Sequence, residues 1–398
     1  MNRGRGMAVI RMRVRPGREV GEVVSRWKKP LVLVGARWAW SRVRRRRVRA
    51  KGPGEQALDL AAWAGAGALV GVGSAVLGEY RRAHRMTGKV ALITGGTRGL
   101  GLQLARELGA SGARVVICGR DSDQLARAVS GLAERGVEAH GVMCDVIDRD
   151  QVHNLVAETM DLFGRIDMVV NNAGVIQIGP SEAFDESHFT HAMDVMFWGP
   201  FHVSRAVMDH LRDSRGTIVN ITSIGAYLTP PHLLPYGCAK HAQAALSEGL
   251  AAETGGTGVR VTTVVPGLMR TGSHVGVTFI GDPEREYAWF ALLAGLPLLS
   301  VNAQRAARRI VAGAARGKGF VIVTPAARIG MALHGLAPGL TQAGMRVAGR
   351  LLPDAPHSVR EREGTEARNS RLGRLADAVA TLNNRAGERL NQKHAEPR

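Results

Sequence analysis

At 398 residues, 45% hydrophobic and 22% charged, the chain is long enough for a folded α/β unit with appendages. Aromatics make up only 5% while glycine reaches 50 residues, which suits a tightly turned fold and argues against a nucleic-acid reader built on stacking rings. The net charge of +19 is concentrated in an appendage, because residues 1–56 hold 17 Lys and Arg against Glu19, Glu22 and Glu55, so it identifies no anionic partner for the remainder.

In chain order, residues 1–56 read as a basic, disordered arm ending at a Gly-Pro-Gly break. Its Arg/Gly-rich composition is also what a start site placed too early in GC-rich coding sequence produces for residues 1–50. An apolar segment follows at 57–79, in which residues 60–78 are 19 uncharged residues. As a helix they reach about 28 Å, just enough to span hydrocarbon. Eleven of the 19 are Gly or Ala, so the gain on transfer is small. A membrane helix, a helix lying on a surface or partner, and a linker all stay open.

Residues 87–345 read as one domain. Strand-like runs at Lys89–Thr94, Arg114–Gly119, Ala139–Cys144, Asp167–Asn171, Thr217–Thr222, Arg260–Val265 and Phe320–Thr324 alternate with helical stretches such as Leu102–Ser111 and Gln151–Phe163. Most are near-continuous apolar runs, as strands covered on both faces require. The pattern predicts an α/β, doubly wound (Rossmann) sheet of about seven parallel strands with helices on both faces. Residues 354–398 are polar and charged and read as a mobile tail, with Leu375–Leu390 capable of forming a helix. Cys118, Cys144 and Cys238 are odd in number and include no CxxC pair, so neither a disulfide framework nor a metal site is expected.

The first strand runs into Thr94-Gly95-Gly96-Thr97-Arg98-Gly99-Leu100-Gly101, which opens a helix. Glycines there let backbone N–H groups approach a pyrophosphate at a helix N-terminus. About 20 positions after Gly101, where an acidic residue would hold the ribose hydroxyl of NAD, stands Arg120. With Arg98 it offers two guanidinium groups to a 2′-phosphate, so NADP(H) is preferred and NAD(H) is the second choice. Asp121 is better placed to cap the next helix.

These glycines, Asp145 after the third strand, Asn171-Asn172-Ala173-Gly174 after the fourth, Ser223, Tyr236-x-x-x-Lys240 and Pro266-Gly267 follow the order seen in the classical short-chain dehydrogenase/reductase superfamily. The chain resembles that superfamily over roughly residues 87–276. The resemblance implies a catalytic set of Ser223, Tyr236 and Lys240. It also implies cofactor contacts from Gly95, Thr97, Arg98, Gly99, Leu100, Gly101, Arg120, Asp145, Asn171, Ala173, Gly174, Tyr236, Lys240, Pro266, Gly267 and Thr271. Tyr236 would be the general acid or base on a carbonyl or alcohol, Ser223 would bond the same oxygen, and Lys240 with the nicotinamide positive charge would lower the phenol from its free value near 10. Asn171-Asn172 can equally be structural, tying strand ends together.

One position departs from the family. Met196, in Asp194-Val195-Met196-Phe197-Trp198-Gly199, stands where the family usually has an Asn that holds a relay water, and a thioether is at best a weak acceptor. Residues 271–301 correspond to the family's substrate lid, and Tyr287–Leu293 with Leu296–Leu299 favour an apolar substrate or pack on the sheet. Tyr227 and Leu228 are further pocket candidates. The expectation is an NADP(H)-dependent oxidoreductase on a small carbonyl or alcohol substrate, a homo-oligomer by resemblance, cytoplasmic, with membrane association through 60–78. The alternative is a cofactor-binding redox sensor or scaffold with little turnover.

Overall fold

The computed structural model describes residues 86–295, 300–355, 358–379 and 381–392. The arm 1–56, the apolar segment 57–79 and Leu296–Leu299 of the lid lie outside the described residues. The first half contains β1 (Val90–Thr94), α1 (Gly99–Gly109), β2 (Arg114–Gly119), α2 (Ser122–Ala133), β3 (Ala139–Met143), α3 (Arg149–Phe163), β4 (Met168–Asn171), β5 (Gln177–Ile178), α4 (Glu186–Met193) and α5 (Gly199–Ser214). The second half begins with β6 (Thr217–Ile221), α6 (Leu234–Glu253), β7 (Arg260–Val265), β8 (Leu268–Arg270), β9 (Thr278–Gly281) and α7 (Pro283–Gly295). It continues with β10 (Ser300–Asn302), α8 (Ala303–Ala315), β11 (Phe320–Ile322), α9 (Pro325–Leu336), α10 (Pro338–Gly349), β12 (Arg360–Glu363), α11 (Gly364–Ala367), α12 (Arg371–Val379) and α13 (Thr381–Arg389).

Seven strands form one sheet in the order β3-β2-β1-β4-β6-β7-β11. Every neighbouring pair in it is parallel. All seven runs read from the sequence are members, with ends trimmed by a residue or two. Alternate residues of each strand serve opposite faces. Ala91, Ile93, Val115 and Ile117 pack with Leu104, Leu108 and Ile310, while Leu92, Val116 and Val169 pack with Leu155, Val207 and Leu211. Both faces are buried, which is why the strands read as continuous apolar runs. Asp121 accepts from the backbone of Gln124 and caps α2, as expected, and Asp148 caps α3.

The strand order reverses between β1 and β4, and the crevice outside the carboxyl ends there is where such sheets bind ligands. The glycine loop leaves β1 at that point, and Asn171–Gly174 leaves β4.

The lid residues pack inward. Tyr287, Phe290 and Ala291 of α7 join Ile178, Leu233, Val277 and Phe279 in a separate buried cluster. Of residues 354–398, the described ones form regular elements: β12 pairs antiparallel with β9, and α12 and α13 lie where one helix was read at 375–390. Asn383, Leu390 and Gln392 are buried. Small apolar residues and polar groups together hold this segment, Ala367 and Ala376 on the α7 cluster and Leu390 in the core, so its composition gave no strong apolar signal. Among the described residues, no helix is long and apolar enough to cross a membrane.

Candidate active site

The site is assembled from strand ends. Thr94, the last residue of β1, accepts through Oγ1 from the backbone N–H groups of Asn172 and Ala173 at 3.0 and 3.1 Å. In return the Asn172 amide donates to the carbonyls of Thr94 and Gly95, both at 3.0 Å. These bonds lock the glycine loop to the end of β4. A Cβ on Gly101 would lie 2.2 Å from the Gly95 oxygen, and one on Gly95 would lie 2.9 Å from the Ala173 Cα. A Cβ on Gly119 would meet Thr97 Cγ2 at 2.6 Å. The floor of the crevice therefore tolerates no side chain at these points and leaves backbone within reach of a ligand, which fits a dinucleotide.

Asn171 resolves toward a structural role. Its amide donates to Ser204 at 3.1 Å and to Asn220 at 2.8 Å. Asn220 then donates to Ser247, whose hydroxyl meets Thr263 at 2.7 Å. This buried polar ladder ties β4, β6 and β7 beneath the crevice. Gly174 faces Met196, whose sulfur would be 3.6 Å from a Cβ there.

The two cations read for a 2′-phosphate are Arg98, next to the first residue of α1, and Arg120, just after β2. Arg120 reaches Asp145 at 3.4 Å with its side chain 58% exposed, so the pair contributes little to stability. Asp145 also accepts from the backbone of Ile147. Burial lowers the Arg98 guanidinium, Glu363 of β12 opposes that, and Arg120 adds to it. Arg98 lies against Gly276.

Ser223 follows β6 and accepts from the Gly225 N–H at 3.0 Å. Its hydroxyl lies beside the Tyr236 ring: a Cβ on Gly225 would meet Ser223 Oγ at 3.4 Å and Tyr236 Cε1 at 3.3 Å. Tyr236 and Lys240 share one face of α6, with the ammonium 5.9 Å from the ring centroid. Nζ donates to the Ile221 carbonyl and to Gln243 Oε1, both at 2.8 Å. The expected lowering of the phenol includes the nicotinamide charge; within the protein alone, burial raises the Tyr236 phenol, the neighbouring Ser223 hydroxyl opposes the rise, and the ammonium is directed to other acceptors. Burial lowers Lys240 itself to about 7. Pro266 anchors the far side by accepting from the Ile224 N–H at 2.8 Å. Gly267 is packed against Thr324, and Thr271 is buried beside Gly99 of the glycine loop.

Met196 lies in a π-helical turn, Asp194–Trp198, between α4 and α5. Such turns often mark functional sites. It is fully buried with Ala192, Val195 and Ala239, and Tyr236 packs on this cluster. The sequence position is thus beside the phenol, but the surroundings are apolar.

The sequence profile of the short chain dehydrogenase family matches residues 89–277. Gluconate 5-dehydrogenase of Gluconobacter oxydans is 36% identical over 187 residues, spanning 47% of this chain and 73% of the relative. The chain belongs to the short-chain dehydrogenase/reductase family. It is an NAD(P)-dependent oxidoreductase of that family. A protein of Streptomyces violaceoruber named as a ketoacyl reductase of the granaticin polyketide synthase is 35% identical, covering 46% of this chain and 68% of its own. A solved actinorhodin polyketide ketoreductase variant with NADPH superposes with a TM-score of 0.54 at 30% identity, over 61% of this chain and 97% of that one.

Three features of this family member were missed in the sequence. Gln243, one turn beyond Lys240, is fully buried and holds the ammonium. His232, four residues before Tyr236, meets the buried carboxylate of Glu286 at 2.8 Å, and Glu286 also accepts from Trp289 at 2.7 Å. This pairing ties α7 to the loop that delivers Tyr236. The third is the C-terminal segment on the glycine loop. No periodicity marks any of them.

Proposed function

We propose that the protein is an NADP(H)-dependent oxidoreductase acting on a carbonyl or alcohol, with Tyr236 as general acid and base. The placing of the Ser223 hydroxyl beside the Tyr236 ring, with the buried Lys240 on the same helix face, carries this reading. Ser223 donates to the substrate oxygen and orients it. Tyr236 gives that oxygen a proton in reduction and removes one in oxidation. Arg98 and Arg120 support the preference for NADP(H), as does the NADPH-bound ketoreductase. When bound, the nicotinamide supplies or accepts the hydride.

A cavity of about 810 Å³ lies beside the loop between Ser223 and Tyr236; Tyr227 and Leu228 line it together with Glu182, His232, Arg346 and Asp354, so it has room for a substrate with both apolar and polar parts. Ser223 and Tyr236 do not line it, so it fits the distal part of a substrate rather than its reacting carbon. NADPH consumption against a panel of ketones and aldehydes, with a Tyr236→Phe control, tests the reading. Turnover that survives the substitution removes Tyr236 from its role. A cofactor-binding sensor with little turnover is the second reading, favoured by Met196 beside the phenol; it requires NADPH binding without Tyr236-dependent turnover. Membrane attachment through 60–78 rests on sequence alone and is tested by fractionating cells expressing the chain with and without residues 1–84.

A further inference from the structure

The C-terminal segment docks on the groups assigned to the dinucleotide. The N–H of Gly99, first residue of α1, donates to the Leu390 carbonyl at 2.9 Å. The Asn391 amide donates to the carbonyls of Thr97 and Gln124 at 2.9 and 3.0 Å, and its oxygen accepts from Arg127 at 3.3 Å. Gln392 donates to the Thr271 carbonyl at 3.1 Å, and a Cβ on Gly99 would lie 3.0 Å from the Gln392 amide nitrogen and 3.9 Å from the Thr271 Cβ, so the segment packs where the glycine loop and Thr271 meet. Further back, Asn383 accepts from the Gly272 N–H at 2.8 Å and bonds His274 at 2.9 Å. Arg106 of α1 donates to the Arg389 carbonyl at 2.8 Å. Gly272 and Gly387 touch so closely that a Cβ on Gly272 would lie 2.2 Å from the Gly387 Cα.

Thr97, Gly99 and Thr271 are all positions where the family reading puts cofactor. A backbone carbonyl at the first N–H of a helix occupies the place a phosphate oxygen would take, since both are hydrogen-bond acceptors drawn to the positive end of the helix. The contacts are backbone-directed and polar, with buried apolar support chiefly from Leu390, so the segment can leave without exposing a large core. We propose that residues 383–392 form an autoinhibitory strap, which competes with the pyrophosphate of the dinucleotide for the glycine loop and must be displaced before the enzyme is loaded. This rests on the cofactor reading above. Displacement lowers apparent affinity by the fraction of time the strap is open, so a strap closed about 90–99% of the time weakens NADPH binding roughly 10- to 100-fold.

The test is NADPH affinity by fluorescence titration for the full chain, a chain ending at residue 382 and the Asn391→Ala variant, with hydrogen exchange of the C-terminal segment in the full chain. The truncated chain is expected to bind at least about tenfold more tightly, Asn391→Ala to fall between, and amides of 383–392 to lose protection when NADPH is added. A truncated chain that binds no NADPH while Asn391→Ala also binds none overturns the cofactor reading and the strap together. Binding by the full chain and Asn391→Ala with equal affinity, or increased protection of 383–392 on loading, overturns the strap alone and makes the segment a cover over bound cofactor.

Discussion

Gln243 holds the ammonium of Lys240 at 2.8 Å, and the carbonyl of Ile221 holds it from the other side at the same distance. Both acceptors are buried, so the lysine is fixed by the end of β6 and by its own helix rather than by the phenol it serves. The Lys240–Tyr236 geometry therefore depends on Gln243, a positioning residue. Gln243→Leu should lower kcat, leave KM for the carbonyl substrate nearly unchanged, and be partly rescued by Gln243→Glu. Equal kinetics for the Leu variant and the native enzyme would show that the Ile221 carbonyl suffices.

Lys240 also makes stability depend on pH. Burial lowers it to about 7 from 10.5. Below about 7 the folded and unfolded chains both carry the charge, and the folded one bears the full burial penalty. Between about 7 and 10.5 the unfolded chain binds more protons, so this contribution to stability rises with pH. Thermal midpoints of Lys240→Met, compared with the native protein across that window, should lack the increment. Parallel curves would contradict it.

Much of this was legible. Seven apolar runs gave the sheet because strands covered on both faces carry no alternation that could mislead. Asp121 was legible as a cap because capping is local. The C-terminal segment was not, since Asn391 and Thr97 are far apart in the chain and join through an amide–carbonyl bond that leaves no periodic trace. Helix spacing placed Lys240 near Tyr236 but could not show the acceptors, Ile221 and Gln243, that hold the ammonium.

Met196 is fully buried against the cluster that carries Tyr236. Met196→Asn should raise kcat if proton return limits turnover. An amide left without a partner there costs about 1–3 kcal/mol, so the thermal midpoint should fall at the same time. A lower midpoint with an unchanged kcat would show that proton return does not pass this position.

Asn172 fixes the glycine loop through two side-chain bonds. Asn172→Ala should weaken NADPH binding about tenfold, a loss of roughly 1.4 kcal/mol, because the loop must then be ordered by the cofactor. Calorimetric titration measures it, and an unchanged Kd would mean that Thr94 alone orders the turn.

Glu286 accepts from His232 and Trp289 with no exposed surface of its own. Glu286→Leu leaves both donors without an acceptor and should destabilise the fold by about 3–5 kcal/mol. The midpoint of urea unfolding should drop with an unchanged slope. A shift within error would show that the two rings find other acceptors.

Ser223, Tyr236 and Lys240 are the proposed chemical centre, and the most direct measurement is kcat/KM for NADPH-dependent carbonyl reduction by the native enzyme and by Tyr236→Phe. The substitution should reduce turnover by about 10²–10⁴-fold while NADPH affinity is preserved. Turnover by Tyr236→Phe equal to that of the native enzyme would contradict the assignment of Tyr236 as the proton donor and acceptor.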